Sequence, residues 1–355
     1  MEKFSKQSIN WGIWGTGGIA TKFAEDLKAV TDAKLHSVCS RRKDASVSFA
    51  EKFRAARSYA DHQAFLQDPE LDAVYIATPN VLHRQQAEVA MQHGKAVLIE
   101  KPVAMTASDA RAIDQASRSF KVFAMEALWT RFLPAVQKAR SLLKSGELGK
   151  PVRAETTLQF VRPFDPNHRL FDPKLGGGVM HDLGVYPLSI AQFLFGPIQV
   201  QNAFWSKAPT GVDQTARFEV LAGSTHVQAA VGFWEPSDGE GDNGFAVFCE
   251  RGALRIDRPF IAAPSLSIWR SPQSSLPQIT GNKLQRGIAK LRNRPDEVVS
   301  VHSETTGLNF EVEAVHAAMR AGLRQNEDNS LEESARVLDA IEEILAREAS
   351  DEPLR

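Results

Sequence analysis

The feature that most restricts the fold lies in the first 128 residues, where short apolar runs alternate with stretches of helical periodicity. The runs are Ile9 to Gly15, Ala33 to Ser40, Leu71 to Thr78, Ala96 to Glu100 and Val122 to Met125. Strands that alternate with helices in this way predict βαβ units and a mostly parallel sheet. Between the first two runs, Ile19, Phe23 and Leu27 recur every fourth residue and give a helix one apolar face for the sheet. Asp44 is expected to cap the next helix, whose Phe49 and Phe53 repeat the spacing. A third helix, Leu82 to His93, should stop at Gly94, a glycine suited to the left-handed C′ position.

After a further helix, about Phe132 to Ser145, the pattern changes. Val152 to Val161, Gln199 to Ser206, Thr215 to Ala222, Thr225 to Phe233 and Phe245 to Glu250 read as strands joined by turns, hence an antiparallel sheet. A helix over about Val179 to Phe195 interrupts them, and a pair over Asn309 to Gly322 and Leu331 to Arg347 closes the chain. The division is placed near residue 128, and two domains suit 355 residues at roughly 150 per domain. Residues 259 to 300 carry four prolines between Pro259 and Pro277, then Lys283, Arg286, Lys290, Arg292 and Arg294, and read as a solvated loop or edge rather than a polyanion site.

Composition excludes several partners. With 43% hydrophobic and 24% charged residues the chain is globular. Its 42 Lys plus Arg against 43 Asp plus Glu provide no bulk field for nucleic acid or an anionic membrane. Cys39 and Cys249, far apart and without CxxC spacing, argue against a disulfide scaffold or structural zinc. The start MEKFSKQSINWG has no apolar signal core, and no run approaches the roughly 18 apolar residues that span a bilayer. The expectation is a soluble cytoplasmic protein.

Gly15, Gly17 and Ala20 form G-x-G-x-x-A where the first strand turns into the first helix. A tight turn, close backbone approach to a pyrophosphate and a helix N-terminus aimed at it need this arrangement together, so the N-terminal domain reads as a Rossmann-type, doubly wound parallel sheet. At the end of the second strand, where an acid usually meets the ribose of NAD, the chain has Ser40, Arg41, Arg42 and Lys43. A hydroxyl and three cations suit a 2′-phosphate, which favours NADP over NAD, against the plainer reading of a solvated basic turn. Thr78, Pro79, Asn80 and His83 follow the fourth strand and Glu100, Lys101, Pro102 the fifth, at strand ends that meet a ligand in this fold. Lys101, pinned between an acid and a proline, is expected to reach into the cleft. Farther on, Gly176 to Gly178 precede His181, Asp182, Gly184, Tyr186 and Pro187, and on a helix Asp182 and Tyr186 would share a face. Taken alone, that segment reads better as a core aromatic with a satisfied hydroxyl. His62, His83, His93, His168 and His181 have no metal-ligand spacing, and no metal is expected.

GTGGIA at 15 to 20, ATPNVLH at 77 to 83, EKP at 100 to 102 and GGGVMHDLGVYP at 176 to 187 resemble, over nearly the whole chain, the glucose-fructose oxidoreductase and inositol dehydrogenase (Gfo/Idh/MocA) family. MEALWTRFLPA at 125 to 135, with Tyr rather than His at 186, is most similar to its dimeric dihydrodiol dehydrogenase and NADP-dependent D-xylose dehydrogenase branch. The resemblance implies a nucleotide domain over 1 to 128 and, over 129 to 355, an α+β domain with an open, mostly antiparallel sheet for substrate binding and dimerisation. It implies catalytic Lys101 and Tyr186, Asp182 supporting them, and Trp129 near the substrate. Thr16, Gly18, Ile19, Thr78, Pro79, Asn80, His83, Glu100 and Lys101 would lie along the cofactor, and the Lys101 to Pro102 peptide is expected to be cis. Residues 271 to 300 match nothing in that pattern.

The implied chemistry moves a hydride between a nicotinamide and a hydroxyl-bearing carbon of a sugar, polyol or cyclic diol. A tyrosine's ordinary pKa of about 10 is high for a base, but an ammonium within about 4 to 6 Å favours the anion. Lys101 is that ammonium, and it also meets the developing alkoxide. Which of the pair passes the proton stays open. Asp182 orients the cation or caps the helix; Trp129 is a flat wall for a ring or plain core. Two other functions compete: a nucleotide-sensing protein without turnover, which needs no acid-base pair, and a nicotinamide-assisted elimination or glycoside cleavage without net redox change. The sheet from Val152 to about Ile268 should leave an apolar face uncovered, so a homodimer or a multiple of one is expected.

Overall fold

The computed structural model of the protein describes residues 8–234, 242–276, 294–301 and 304–350. The chain divides into two compact units, Met1–Phe132 with Ser303–Ala335, and Leu133–His302 with Arg336–Arg355.

In the first unit the runs seen in the sequence become β1 (Ile9–Trp14), β2 (Ala33–Cys39), β4 (Ala73–Ile76), β5 (Ala96–Glu100) and β6 (Ala124–Ala127), joined by a short β3 (Arg57–Tyr59). All pair in parallel in the order β3-β2-β1-β4-β5-β6, a doubly wound sheet. Every residue of β4, β5 and β6 is buried, as expected of strands covered on both faces. Helices α1 (Gly18–Asp26), α2 (Lys43–Phe53), α3 (His62–Leu66), α4 (His83–Gln92) and α5 (Ala107–Phe120) connect them. Phe23 of α1 stacks on Tyr75 of β4 with ring centroids 3.8 Å apart. The cap of α2 differs from expectation: Arg42 holds that position without a side-chain bond, and Asp44 lies in the first turn, where the helix dipole still favours an acid.

One more helix, α8 (Leu308–Arg320), belongs to this unit, although a single division at 128 gives it to the second domain. Its Leu308, Val312, Val315 and Met319 join the core around Trp11 and Phe23. The buried Asp26 of α1 accepts the amides of Thr306, Gly307 and Leu308 at 2.9 to 3.1 Å and so holds its N-terminus. Trp11 Nε1 donates to His316 Nε2 at 2.9 Å. Apolar periodicity tells that a helix packs, not on which sheet.

The second unit contains α6 (Pro134–Ser145), β7 (Pro151–Val161), α7 (Val185–Phe195), β8 (Ile198–Lys207), β9 (Asp213–Ala222) and β10 (Thr225–Trp234). Then come β11 (Phe245–Cys249), β12 (Ala253–Ile256), β13 (Ser265–Trp269), β14 (Glu297–Ser300), the last helix α9 (Leu331–Leu345), which starts in the first unit, and β15 (Ala349–Ser350). The sheet order is β14-β13-β12-β11-β7-β10-β9-β8-β15. Only β10 with β7 and β15 with β8 pair in parallel among the described strands, so the sheet is open and mostly antiparallel. The basic residues Lys283, Arg286, Lys290 and Arg292, with Pro277, lie outside the described residues; Arg294 is exposed beside the edge strand β14.

Helices α6 and α7 pack on one face of this sheet. Among the described residues no helix packs on the other face, where Ser275 and Leu276 lie, and its lining is mixed rather than the apolar one expected. The alternation that buries Phe218 and Val220 turns Arg217 and Glu219 outward, where they sit beside Glu155, Asn202 and Gln228 around a concavity of about 780 Å³. Phe204, 57% exposed, lines it too, with the buried Phe218 and Phe248. Among the described residues no helix is long and apolar enough to cross a membrane.

Candidate functional site

The glycine loop grows from the end of β1. Gly15 has φ +116°, and a Cβ there would stand 2.4 Å from the Ala77 carbonyl oxygen, so the position admits only glycine. Gly17 is the N-cap of α1 and supplies no side chain for the first amides of that helix. A Cβ built at Gly17 or Gly18 meets nothing within 4 Å. Exposed glycines, unclaimed N-terminal amides and open space in front of them fit a bound pyrophosphate. Ala20 is fully buried against the sheet, the close helix packing that the third position of the motif requires. Ile19 is half-buried, and Thr16 Oγ1 lies 3.5 Å from Ser40 Oγ at the end of β2.

Ser40 donates its amide to Tyr59 at 3.1 Å, and the chain then turns into α2 through Arg41, Arg42 and Lys43. These three cations are exposed, and none forms an ion pair with another described residue. No acid stands among them where a ribose hydroxyl would be received.

Beyond β4, Thr78, Pro79 and Asn80 are half-buried, and Thr78 Oγ1 bonds Gln86 Oε1 at 2.5 Å. His83 is fully buried behind this loop: Nδ1 faces the Pro102 carbonyl at 2.8 Å and Nε2 the Thr78 carbonyl at 2.9 Å. Burial pushes its pKa below the ordinary value, against the two carbonyls that raise it. Glu100 is also turned inward; it accepts from the Tyr75 hydroxyl and, at 3.1 Å, from the Lys101 amide. Lys101 is half-buried at the end of β5, and its peptide to Pro102 is cis, as expected. Glu126 on β6 had no place in the sequence reading. It is 1% exposed, accepts the Val103 amide at 2.8 Å, and burial raises its pKa. Trp129 opens the turn Trp129–Phe132 and packs, half-buried, against the first unit's core. The first unit therefore gathers the glycine loop, Ser40, the Thr78 loop and Lys101 at the carboxyl ends of β1, β2, β4 and β5.

Tyr186 and Asp182 belong to the second unit. Residues Met180–Gly184 form a π-turn that runs into α7, so the two side chains are not separated by a regular α-helical turn. Tyr186 is buried in the first turn of α7, and Asp182 stands 3.5 Å from Arg169. The capping role considered for Asp182 falls to a residue the sequence did not single out. Asp213, buried at the start of β9, accepts the Met180 amide at 2.5 Å, and burial raises its pKa. The glycine run now has a cause: Gly178 has φ +126°, and a Cβ there would lie 2.2 Å from Asp213 Oδ1.

Among the described residues, the group that could hold a metal is His36, Asp68 and Glu70. Arg57 already lies 3.3 Å from Asp68 and 2.9 Å from Glu70, so a cation is in place there.

Comparison with known proteins agrees with this architecture. Residues 9–127 match the model of an oxidoreductase family with an NAD-binding Rossmann fold, and 136–255 match the GFO/IDH/MocA C-terminal domain. D-xylose 1-dehydrogenase (NADP(+)) of Hypocrea jecorina is 34% identical over 233 residues, a match spanning 59% of this chain and 59% of that enzyme. Trans-1,2-dihydrobenzene-1,2-diol dehydrogenase of Xenopus laevis is 28% identical over 95% of this chain and 97% of its own. A 3-ketoreductase from Actinomadura kijaniata, solved with NADP and TDP-benzene, has the same fold, with a TM-score of 0.79 at 20% identity over 96% of this chain and 97% of that one. The first two, a D-xylose dehydrogenase and a dihydrodiol dehydrogenase, are of the branch that the 125 to 135 segment resembled. The chain belongs to the Gfo/Idh/MocA family of oxidoreductases.

Proposed function

We propose that this protein is an NADP-dependent dehydrogenase or reductase acting on a hydroxyl-bearing carbon of a sugar, polyol or cyclic diol, with Lys101 and Tyr186 as its acid-base pair. The observation that carries this reading is the first unit's set of strand ends. A glycine loop open to a pyrophosphate, a basic turn without an acid, and a lysine on a tightly held loop stand there in the family's order. The glycine loop would hold the pyrophosphate, and Ser40, Arg41 and Arg42 the 2′-phosphate that distinguishes NADP. The bound nicotinamide supplies or accepts the hydride. In oxidation the substrate hydroxyl loses its proton to the Lys101–Tyr186 pair as its carbon loses the hydride, leaving a carbonyl. In reduction the pair returns the proton to the alkoxide, whose charge the ammonium offsets. Asp182 orients that pair, and Trp129 offers a flat wall to the substrate ring.

The family relatives named for D-xylose and for a dihydrodiol support a small polyhydroxylated substrate. Cys39 and Cys249 are buried free thiols, with burial pushing them up to about 12 and about 11, which suits a reducing, cytoplasmic setting. The test is a panel of aldoses, cyclic diols and keto-sugars, D-xylose and trans-1,2-dihydrobenzene-1,2-diol among them, with NADP or NADPH. A net change in reduced nicotinamide supports the reading. Product without net change points to elimination or glycoside cleavage, and tight NADP binding without any product points to a sensor.

A further inference from the structure

Three backbone groups in a row flank the lysine side chain, and each is taken by a buried side chain. The Lys101 amide donates to Glu100, the Pro102 carbonyl faces Nδ1 of His83, and the Val103 amide donates to Glu126. Glu100 and Lys101 are neighbours in the chain, so that contact is local. The other two arrive from separate elements: His83 is 0% exposed at the start of α4, and Glu126 is 1% exposed on β6, where it pairs with Ile99 of β5. A buried acid and a buried histidine are costly to keep unless their polar atoms are matched. Here Glu126 accepts an amide of the loop that carries the lysine, and His83 with its proton on Nδ1 donates to a carbonyl of that loop. His83 reaches farther, because its other nitrogen faces Thr78 in the loop after β4. Glu126 is itself anchored: its carboxyl bonds Ser334, Arg131 and Lys101 add attraction, and its own carbonyl accepts from Asn329 at 2.7 Å.

We propose that His83 and Glu126 are positioning residues that clamp the Pro102–Val103 backbone and thereby fix where the Lys101 ammonium stands. The proposal rests on the catalytic reading of Lys101. The Pro102 carbonyl and the Val103 amide are the two sides of one peptide group, so holding both stops that plane from rotating and keeps the backbone from which the lysine side chain springs in one place.

Paired substitutions test the clamp. Asn at 83 keeps an amide donor near the Nδ1 position facing Pro102, whereas Gln puts its donor near the Nε2 position facing Thr78. Gln at 126 keeps the acceptor for Val103, whereas Leu removes it. The first readout is hydrogen exchange of the peptide containing the Val103 amide, in the full-length protein with NADP. Glu126→Leu should speed that exchange at least tenfold, while Glu126→Gln leaves it within about threefold. The second readout is kcat per NADPH-binding site on the best panel substrate. His83→Gln and Glu126→Leu should lose about 10- to 100-fold, with NADP affinity held within about threefold, and His83→Asn and Glu126→Gln should recover most of the loss. Should Glu126→Leu fail to fold, the two His83 variants carry the comparison. Parental kcat in His83→Gln, or equal losses within each pair, overturns the clamp. Lys101→Ala is measured alongside: if it keeps parental turnover, the catalytic reading falls, whereas if it alone loses turnover, only the clamp does.

Discussion

Arg41 carries the clearest expectation for a single residue. It is exposed at the end of β2 with no acid paired to it among the described residues, so a 2′-phosphate there would gain a charge-assisted bond of about 1.5 to 3 kcal/mol, or roughly 10- to 150-fold in affinity. Arg41→Ala should lose that much for NADP and almost nothing for NAD; equal affinity of the parent for both cofactors contradicts the assignment. Glu311 gives a pH effect. It is fully buried on α8, neither carboxyl oxygen has a hydrogen-bond partner among the described residues, and burial pushes its pKa well above 4.5, with Glu100, Asp26 and Glu126 adding repulsion. The folded state therefore holds this proton more tightly than the unfolded chain. The stability it contributes is fully present below about pH 4.5 and is lost as pH rises toward the folded value. Melting temperature should fall between pH 5 and pH 8 more steeply in the parent than in Glu311→Gln, by a few degrees; equal slopes contradict it. Residues such as Glu311, Glu126 and Asp213 were not legible beforehand, because a lone acid carries no sign of which distant amide or empty space it meets. The glycine positions were legible, because a steric requirement leaves its mark at the residue that obeys it.

At the scale of elements, the π-turn and α7 depend on a strand distant in sequence. Asp213→Ala leaves the Met180 amide without its partner at a cost of about 1 to 3 kcal/mol, and it should also lower turnover by loosening the start of the helix that bears Tyr186. Gly178→Ala should do the same, since its Cβ would strike the Asp213 carboxylate and its φ is left-handed. Melting curves beside kcat check both; unchanged melting in Asp213→Ala contradicts the capping role. The long, strongly apolar runs β1, β2, β4 and β5 and the alternating strands β7 to β11 were legible within a few residues, since each shows its period directly. The three-residue β3, with Arg57 and Ser58 polar, and the five-residue α3 are too short for a period to show. Helix α8 was legible as a helix, but not as part of the nucleotide-side core, because its partners Trp11 and Asp26 lie 305 and 282 residues upstream of the groups they bond.

For the whole molecule, the face of the second unit's sheet on which no described helix packs is our reading of a homodimer interface, although its chemistry is mixed rather than apolar. Phe204 lies beside alternating Arg217 and Glu219, a pattern that a twofold axis can pair with itself. Light scattering should give twice the chain mass of 39.1 kDa, and Phe204→Glu should shift it toward one chain; a parent of 39.1 kDa at micromolar concentration contradicts the interface. The central claim is that Lys101 and Tyr186 act together on one proton. It is tested most directly by the turnover of Lys101→Ala, Tyr186→Phe and the double variant on the best panel substrate, with NADP affinity measured beside it. Each single change should cost about 10² to 10⁴ fold in kcat with little change in NADP affinity, and the double variant should lose scarcely more than either. Near-parental kcat in either single variant contradicts the account.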